Sequence, residues 1–283
     1  MQVRRLFSIL ITVPIAIVSA VSVGRLLHRR RATRHRNELR RLATTDRSRT
    51  VTTDDFEDLP SPVRDYFANV LDEGQQYVET VTLKQTGELR PGDSESAWKP
   101  FTATQYITTD PPGFFWDATV RFWPLVDIHI GDRYCDGDGH ARVSALGLVP
   151  LGGDDTNPEL NRGELLRYLA EAVWYPTALL PSHGVEWDPV DERTATATLE
   201  SGDTSATLTF HFTDDDEVSK VHAEQRPRRV DDRYEPTPWT GRWHDYQIRN
   251  GMRVPTAGEV IWQLPDGEME AWRGRLTEIS YDH

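Results

Sequence analysis

Residues 163–187 read GELLRYLAEAVWYPTALLPSHGVEW, and the reading of this stretch decides the fold. Leu165, Leu166, Leu169, Ala172 and Val173 recur at helical spacing, and Glu164, Arg167, Tyr168 and Glu171 share the other stripe. Asn161 and Glu164 have the residue types of a capping box, and Pro176 ends the run. A second short turn, 177–180, is bounded by Pro181. The spacing predicts a helical segment over 161–180.

The flanking sequence obeys a different period. Residues 77–84, 98–108, 115–122, 126–134 and 141–148 alternate apolar with polar, separated by RPGDS, DPPG and DGDG turn signals. After the helix the alternation resumes over 185–189, 193–200, 206–212, 217–226, 243–250, 252–264 and 268–281. Gly202-Asp203, Asn250-Gly251 and Asp266-Gly267 are hairpin pairs. Ahead of the strands, Ser61 as cap and Pro62 at the first helical position open a short amphipathic helix carrying Val63, Phe67, Val70 and Leu71. No strand–helix–strand spacing suits a parallel sheet. The expected class is mainly antiparallel β (α+β): a curved sheet or half-barrel of about eleven strands, with helices covering the concave face.

The chain divides sharply by charge. Residues 1–50 hold 12 Arg against Glu38 and Asp46, whereas residues 51–283 carry 20 basic and 43 acidic side chains. A body of net charge −23 lacks the basic footprint that nucleic acid requires. Only Lys84, Lys99 and Lys220 are lysines, and this acidic, Arg-using composition resembles that of halophilic archaeal proteins. Cys135 is the only cysteine, so no internal disulfide can form.

Residues 6–24, LFSILITVPIAIVSAVSVG, contain no charge and are just long enough to span a bilayer. An Arg-rich run from Arg25 to Arg41 follows, and the positive-inside rule then keeps the folded domain cytoplasmic. The alternative is export, because Arg4-Arg5-Leu6-Phe7 resembles a twin-arginine signal and Val18-Ser19-Ala20 a cleavage site. The expected organisation is 1–24 as anchor or signal, 25–55 as juxtamembrane segment and linker, and 56–283 as one β-rich domain.

Four stretches resemble an uncharacterised family of membrane-anchored proteins, a domain of unknown function. They are Leu59-Pro60 followed by Val63 and Tyr66, WKPFTATQ (98–105), PPGFFWDA (111–118) and AEAVWYPTALLP (170–181). PPGFFWD followed by YCDGDGH (134–140) is also similar in rhythm to the half-barrel carriers of lipoproteins and lipids. That likeness implies an unclosed antiparallel barrel with a helical lid over an apolar cavity.

No Walker loop, dinucleotide fingerprint, HExxH or Gly-x-Ser-x-Gly is present, so no cofactor, metal or catalytic residue is assigned. Asp132 to His140 reads as a hairpin turn. His129 with Asp127 and His211 with Asp214 are the conceivable acid–base pairs. The aromatic residues are more informative. The expected cavity lining is Trp98, Phe101, Phe115, Trp116 and Trp123 ahead of the helix, then Leu169, Trp174, Leu179 and Leu180 on it, and Trp243 and Trp262 beyond. The leading reading is a membrane-tethered binding or carrier domain for a hydrophobic or amphiphilic, lipid-like ligand. A hydrolase-like enzyme using His and carboxylates in that cavity is one alternative, and a structural membrane module without ligand is another. No protein partner is identified.

Overall fold

The computed structural model describes residues 2–44, 49–123 and 126–283, and side chains from 21 onward except 123. Six strands precede the central helix: β1 (Thr80–Leu89), β2 (Lys99–Thr108), β3 (Gly113–Trp123), β4 (Val126–Cys135), β5 (Asp138–Ala145) and β6 (Val149–Asp154). Seven follow it: β7 (Val185–Asp191), β8 (Thr194–Ser201), β9 (Thr204–Phe212), β10 (Val218–Val230), β11 (Arg233–Arg249), β12 (Met252–Leu264) and β13 (Gly267–Asp282). All thirteen belong to one antiparallel sheet in the order β6-β5-β4-β3-β2-β1-β13-β12-β11-β10-β9-β8-β7. The sheet is two meanders joined by the β1–β13 pair, whose register begins at Thr80 opposite Asp282.

Thirteen strands replace the expected eleven or so; β6 has no counterpart among the alternating segments, and β10 and β11 run longer than expected. β6 is an exposed edge strand containing Gly152 and Gly153, so burial imposes no apolar alternation on it. β10 and β11 extend past Pro227, Pro236 and Pro238 as one long hairpin, with Pro227 opposite Pro236. Prolines there read as strand ends in the sequence.

With β1 and β13 paired in the middle, both free edges belong to strands adjoining residues 155–184. That connection has to travel from the β6 edge to the β7 edge. It does so as α3 (Pro158–Glu171) and three short 3-10 turns, Ala172–Trp174, Pro176–Leu179 and Pro181–His183. Asn157 caps α3, its side chain accepting from the Leu160 amide at 2.8 Å, so the helix starts before the expected Asn161. Asn161 instead accepts from the Gly139 amide at 2.8 Å, pinning α3 to the β4–β5 hairpin. Farther along, the Trp174 indole donates to Pro255 O at 3.0 Å and the Tyr281 hydroxyl donates to Trp174 O at 2.7 Å. The crossing segment thereby touches β5 at one end and β12 and β13 at the other.

The sheet curls strongly enough for distant strands to meet. Asp154 of β6 pairs with Arg229 of β10 and accepts from the Tyr234 hydroxyl of β11 at 2.6 Å. Between these arms lies the main core. The helix α2 (Ser61–Val70) contributes Val63, Tyr66, Phe67 and Val70 to it, all buried. Its first residue is Ser61, with Pro60 in the capping position. Tyr66 and Phe67 pack on Phe212 and Trp187 at ring separations of 5.7 and 6.4 Å.

The N-terminal helix α1 (Gln2–Leu42) occupies the opposite face. Residues 25–42, expected as part of a juxtamembrane segment and linker, are the second half of this helix and dock on the sheet. Leu39 is buried against Phe115 and Cys135, the His28 ring lies 2.8 Å from Asp117, and Arg133 pairs with Glu38 at 3.2 Å. Among the described residues no helix is long and apolar enough to cross a membrane. The expected span, 6–24, falls almost wholly on residues whose side chains lie outside the description.

Phe67 has no exposed surface and bridges α2 to β7. Phe67→Ala should lower the unfolding free energy by roughly 3–5 kcal/mol in a urea titration. A loss under about 1 kcal/mol would show that α2 is not part of the cooperative core.

Candidate functional site

Strand periodicity assembles a tryptophan wall. Trp239 and Trp243 lie four residues apart on β11 and so face the same side of the sheet. Trp239 stands opposite Trp262 on β12, and Trp272 stands opposite Val260. Two glycines make room for the rings. A Cβ at Gly258, which pairs with Trp243, would fall 2.7 Å from the Trp243 ring, and one at Gly274 would fall 2.4 Å from Trp272. With no side chains at these positions, the indoles can lie close against the sheet. Trp116 on β3 continues the wall, its indole donating to Gln85 Oε1 of β1 at 2.9 Å.

From the other side, α3 presents Arg167, Ala170 and Glu171, and Trp174 follows in the next turn. Between the helix and the wall is a cavity of about 220 Å³, lined by Trp116, Trp174, Trp239, Trp243, Trp262 and Trp272. Engineered apolar cavities of about 150 Å³ already hold benzene. Most of the remaining interior is solid core, so the space suits a ring or a short chain.

The polar stripe of α3 faces this interior. Glu164 is only 8% exposed and Tyr168 1%. Arg167 Nε donates to Glu171 Oε1 at 2.9 Å and its Nη1 to Asp132 Oδ2 at 2.9 Å, with Glu164 Oε2 at 4.0 Å. The guanidinium also sits over the Phe114 and Trp116 rings, at 5.0 and 4.8 Å. Glu171 Oε2 accepts from Gln105 Nε2 at 2.6 Å. Burial works to lower the Arg167 pKa, but the surrounding carboxylates, Glu171 foremost, hold it above its ordinary value. Burial, followed by the charge of Asp132, pushes Glu164 up to about 7.

Arg226 is placed differently. Its guanidinium lies 4.5 Å from the Trp239 ring centre and 5.6 Å from that of Trp262. It has no hydrogen bond or ion pair among the described residues, and burial lowers its pKa to about 10. The indole nitrogens of Trp239 and Trp243 are likewise buried without an acceptor.

The expected lining residues part company. Trp116, Trp174, Trp243 and Trp262 meet around the cavity. Phe101 stands behind the wall, 5.9 Å from Trp116 and 5.8 Å from Trp272. Leu169, Leu179 and Leu180 have no exposed surface and belong to the packed core instead. Phe115 points to the opposite face, against α1, because neighbouring strand residues face opposite ways. Trp98 is held between the guanidiniums of Arg90 and Arg273 at 4.6 and 4.5 Å. The Trp123 side chain lies outside the described residues.

Sequence reasoning missed the polar members of the wall: Gln85, Asp132, Arg167, Glu171 and Arg226. The one available signal was the Glu164–Arg167–Glu171 stripe, whose spacing permits ion pairs along one helix face. The two conceivable histidine pairs lie elsewhere. His129 stacks on His28 at 4.0 Å, and His211 contacts Thr194. Among the described residues no three His, Cys, Asp or Glu side chains gather as metal ligands.

The elevated Glu164 pKa gives a pH-dependent stability. Between its ordinary 4.5 and about 7, the folded protein holds a proton that the unfolded chain releases, so stability falls as pH rises through that window. Glu164→Gln cannot ionise and should be more stable than the parent at about pH 8, by up to about 3 kcal/mol, with the gain vanishing near pH 4. Urea titrations at both pH values test this. An equal difference at both would mean that ionisation is not its source.

No curated protein matches the chain. Similar solved structures include a LolA superfamily protein from Nitrosomonas europaea, 10% identical, covering 79% of this chain and 93% of that one with a TM-score of 0.43. A putative outer membrane lipoprotein-sorting protein domain from Vibrio parahaemolyticus is 7% identical over 78% and 91% of the two chains, TM-score 0.43. A beta-barrel-like protein of the domain of unknown function DUF1849 from Brucella abortus is 11% identical over 73% and 99%, TM-score 0.22. The family of unknown function DUF6920 matches residues 57–281, most of the chain and nearly all of the sheet, and the protein belongs to that family.

Proposed function

We propose that this protein is a membrane-tethered binding or carrier domain for a small amphiphile, with α3 as the cover of the site. The supporting observation is the 220 Å³ cavity, walled by six of the chain's nine tryptophans and edged by a few polar groups. Such a mixture is the ordinary form of a small-molecule site. The volume favours a ligand that inserts one ring or a short alkyl segment, leaving the rest at the opening.

Binding is favoured over catalysis by the state of the polar groups. No histidine lines the cavity among the described residues, and Asp132 and Glu171 are committed to Arg167 and Gln105. A ligand-free structural module accounts poorly for tryptophans surrounding open space. Tethering is supported by the uncharged stretch 6–24, and the Arg-rich flank supports a cytoplasmic domain.

Two experiments test the binding reading, and a third tests the orientation. Native mass spectrometry of protein from its own host should reveal a co-purifying amphiphile, and 1-octanol should shift the tryptophan emission with a saturable isotherm. Absence of both overturns it. Protease added to intact cells should spare the domain and digest it after lysis; digestion in intact cells would overturn the cytoplasmic orientation.

A further inference from the structure

The hydrogen-bonding groups at the cavity are unevenly satisfied. The acceptors on its lining each hold a donor: Gln85 Oε1 takes the Trp116 indole, Asp132 Oδ2 and Glu171 Oε1 take Arg167, and Glu171 Oε2 takes Gln105. Three of its donors hold no acceptor. Among the described residues the Arg226 guanidinium has no oxygen partner, and the Trp239 and Trp243 indole nitrogens are buried without an acceptor. Unpaired buried donors cost free energy. Arg226 is a half-buried cation that feels the Glu164, Glu171 and Asp132 carboxylates and the Arg167 guanidinium, with none of them in ion-pair contact. Three free donors in one wall, one of them a forked cation, suit a ligand group with negative charge and at least two oxygens.

A tryptophan box can also receive a quaternary ammonium. Here Arg226 already takes the cation position over Trp239 and Trp262, and Arg167 lies over Trp116. A ligand cation would meet two guanidiniums, and the lining carboxylates Asp132 and Glu171 are already paired with Arg167.

We infer that the ligand is an anionic amphiphile, whose carboxylate- or phosphate-type head group binds Arg226 together with the Trp239 and Trp243 indole N–H groups while its apolar part enters the tryptophan box. This rests on the amphiphile-binding reading above and adds the charge of the head group. The anion completes Arg226, whose guanidinium has no oxygen partner among the described residues. Of the three carboxylates that act on Arg226, Asp132 and Glu171 are paired with Arg167, and burial holds the Glu164 pKa above its ordinary value.

The probes are octanoate, 1-octanol, octyltrimethylammonium and acetate, titrated into the full chain and followed by calorimetry and tryptophan emission. Octanoate should bind about 10- to 100-fold more tightly than 1-octanol, the ratio expected for a charge-assisted hydrogen bond. Arg226→Met should abolish that preference while retaining 1-octanol binding. Arg226→Lys should keep a smaller preference, because an ammonium lacks the planar fork. Equal affinity for octanoate and 1-octanol, tighter binding of octyltrimethylammonium, or a preference that survives Arg226→Met in folded protein would each overturn the inference and leave the amphiphile reading standing. If none of the octyl probes binds, or acetate binds as tightly as octanoate, the amphiphile reading itself fails. The four-probe comparison on the unmodified protein decides the charge even if Arg226→Met does not fold.

Discussion

The pairing of β1 with β13 governs this architecture. Once the first and last strands lie side by side, the free edges are β6 and β7, which are neighbours in sequence and opposite ends of the strand order. Residues 155–184 have to join them, and the helix amid the strands lies in that connection. It packs against β4 and β5 of one arm and β8, β9 and β10 of the other, which the curl of the sheet brings together.

Crossing a curled sheet also explains the chemistry of α3. A helix lying on a flat sheet buries one stripe and hydrates the other. With strands rising on both sides, Leu165, Leu166 and Leu169 are buried in the core while Glu164, Arg167 and Glu171 are also held inside. Charges in that position need partners within reach. Asp132 of β4 and Gln105 of β2 supply them. The ion network and the tryptophan wall are thus two sides of one gap, since the carboxylates and Arg167 limit how closely the helix can approach the indoles.

Much of the fold was legible because period-two alternation is strong wherever one strand face is buried. It failed for β6, which buries little, and for the proline-bearing β10–β11 extension. The site was less legible. Phe115 and Trp116 are adjacent in a strand, so they could not line one cavity, and parity alone would have removed one of them. Leu169, Leu179 and Leu180 have the right chemistry for an apolar lining but equally for a core, and composition cannot distinguish those outcomes. The polar stripe of α3 was visible, although its burial depends on the curvature of strands distant in sequence. Arg226 carried no local signal at all. Its isolation is a property of three strands and a helix meeting around it.

The register at the centre of the sheet has a mechanical consequence. Thr80 at the start of β1 lies opposite Asp282 at the end of β13, and the Glu79 amide bonds Asp282 O at 2.9 Å. Tension applied between these two points would load the ladder from one end, opening its hydrogen bonds in succession instead of straining them together. The seam between the two meanders therefore behaves as a zipper under such a pull. The crossing segment, bonded to both arms, keeps them connected after the first rungs have parted.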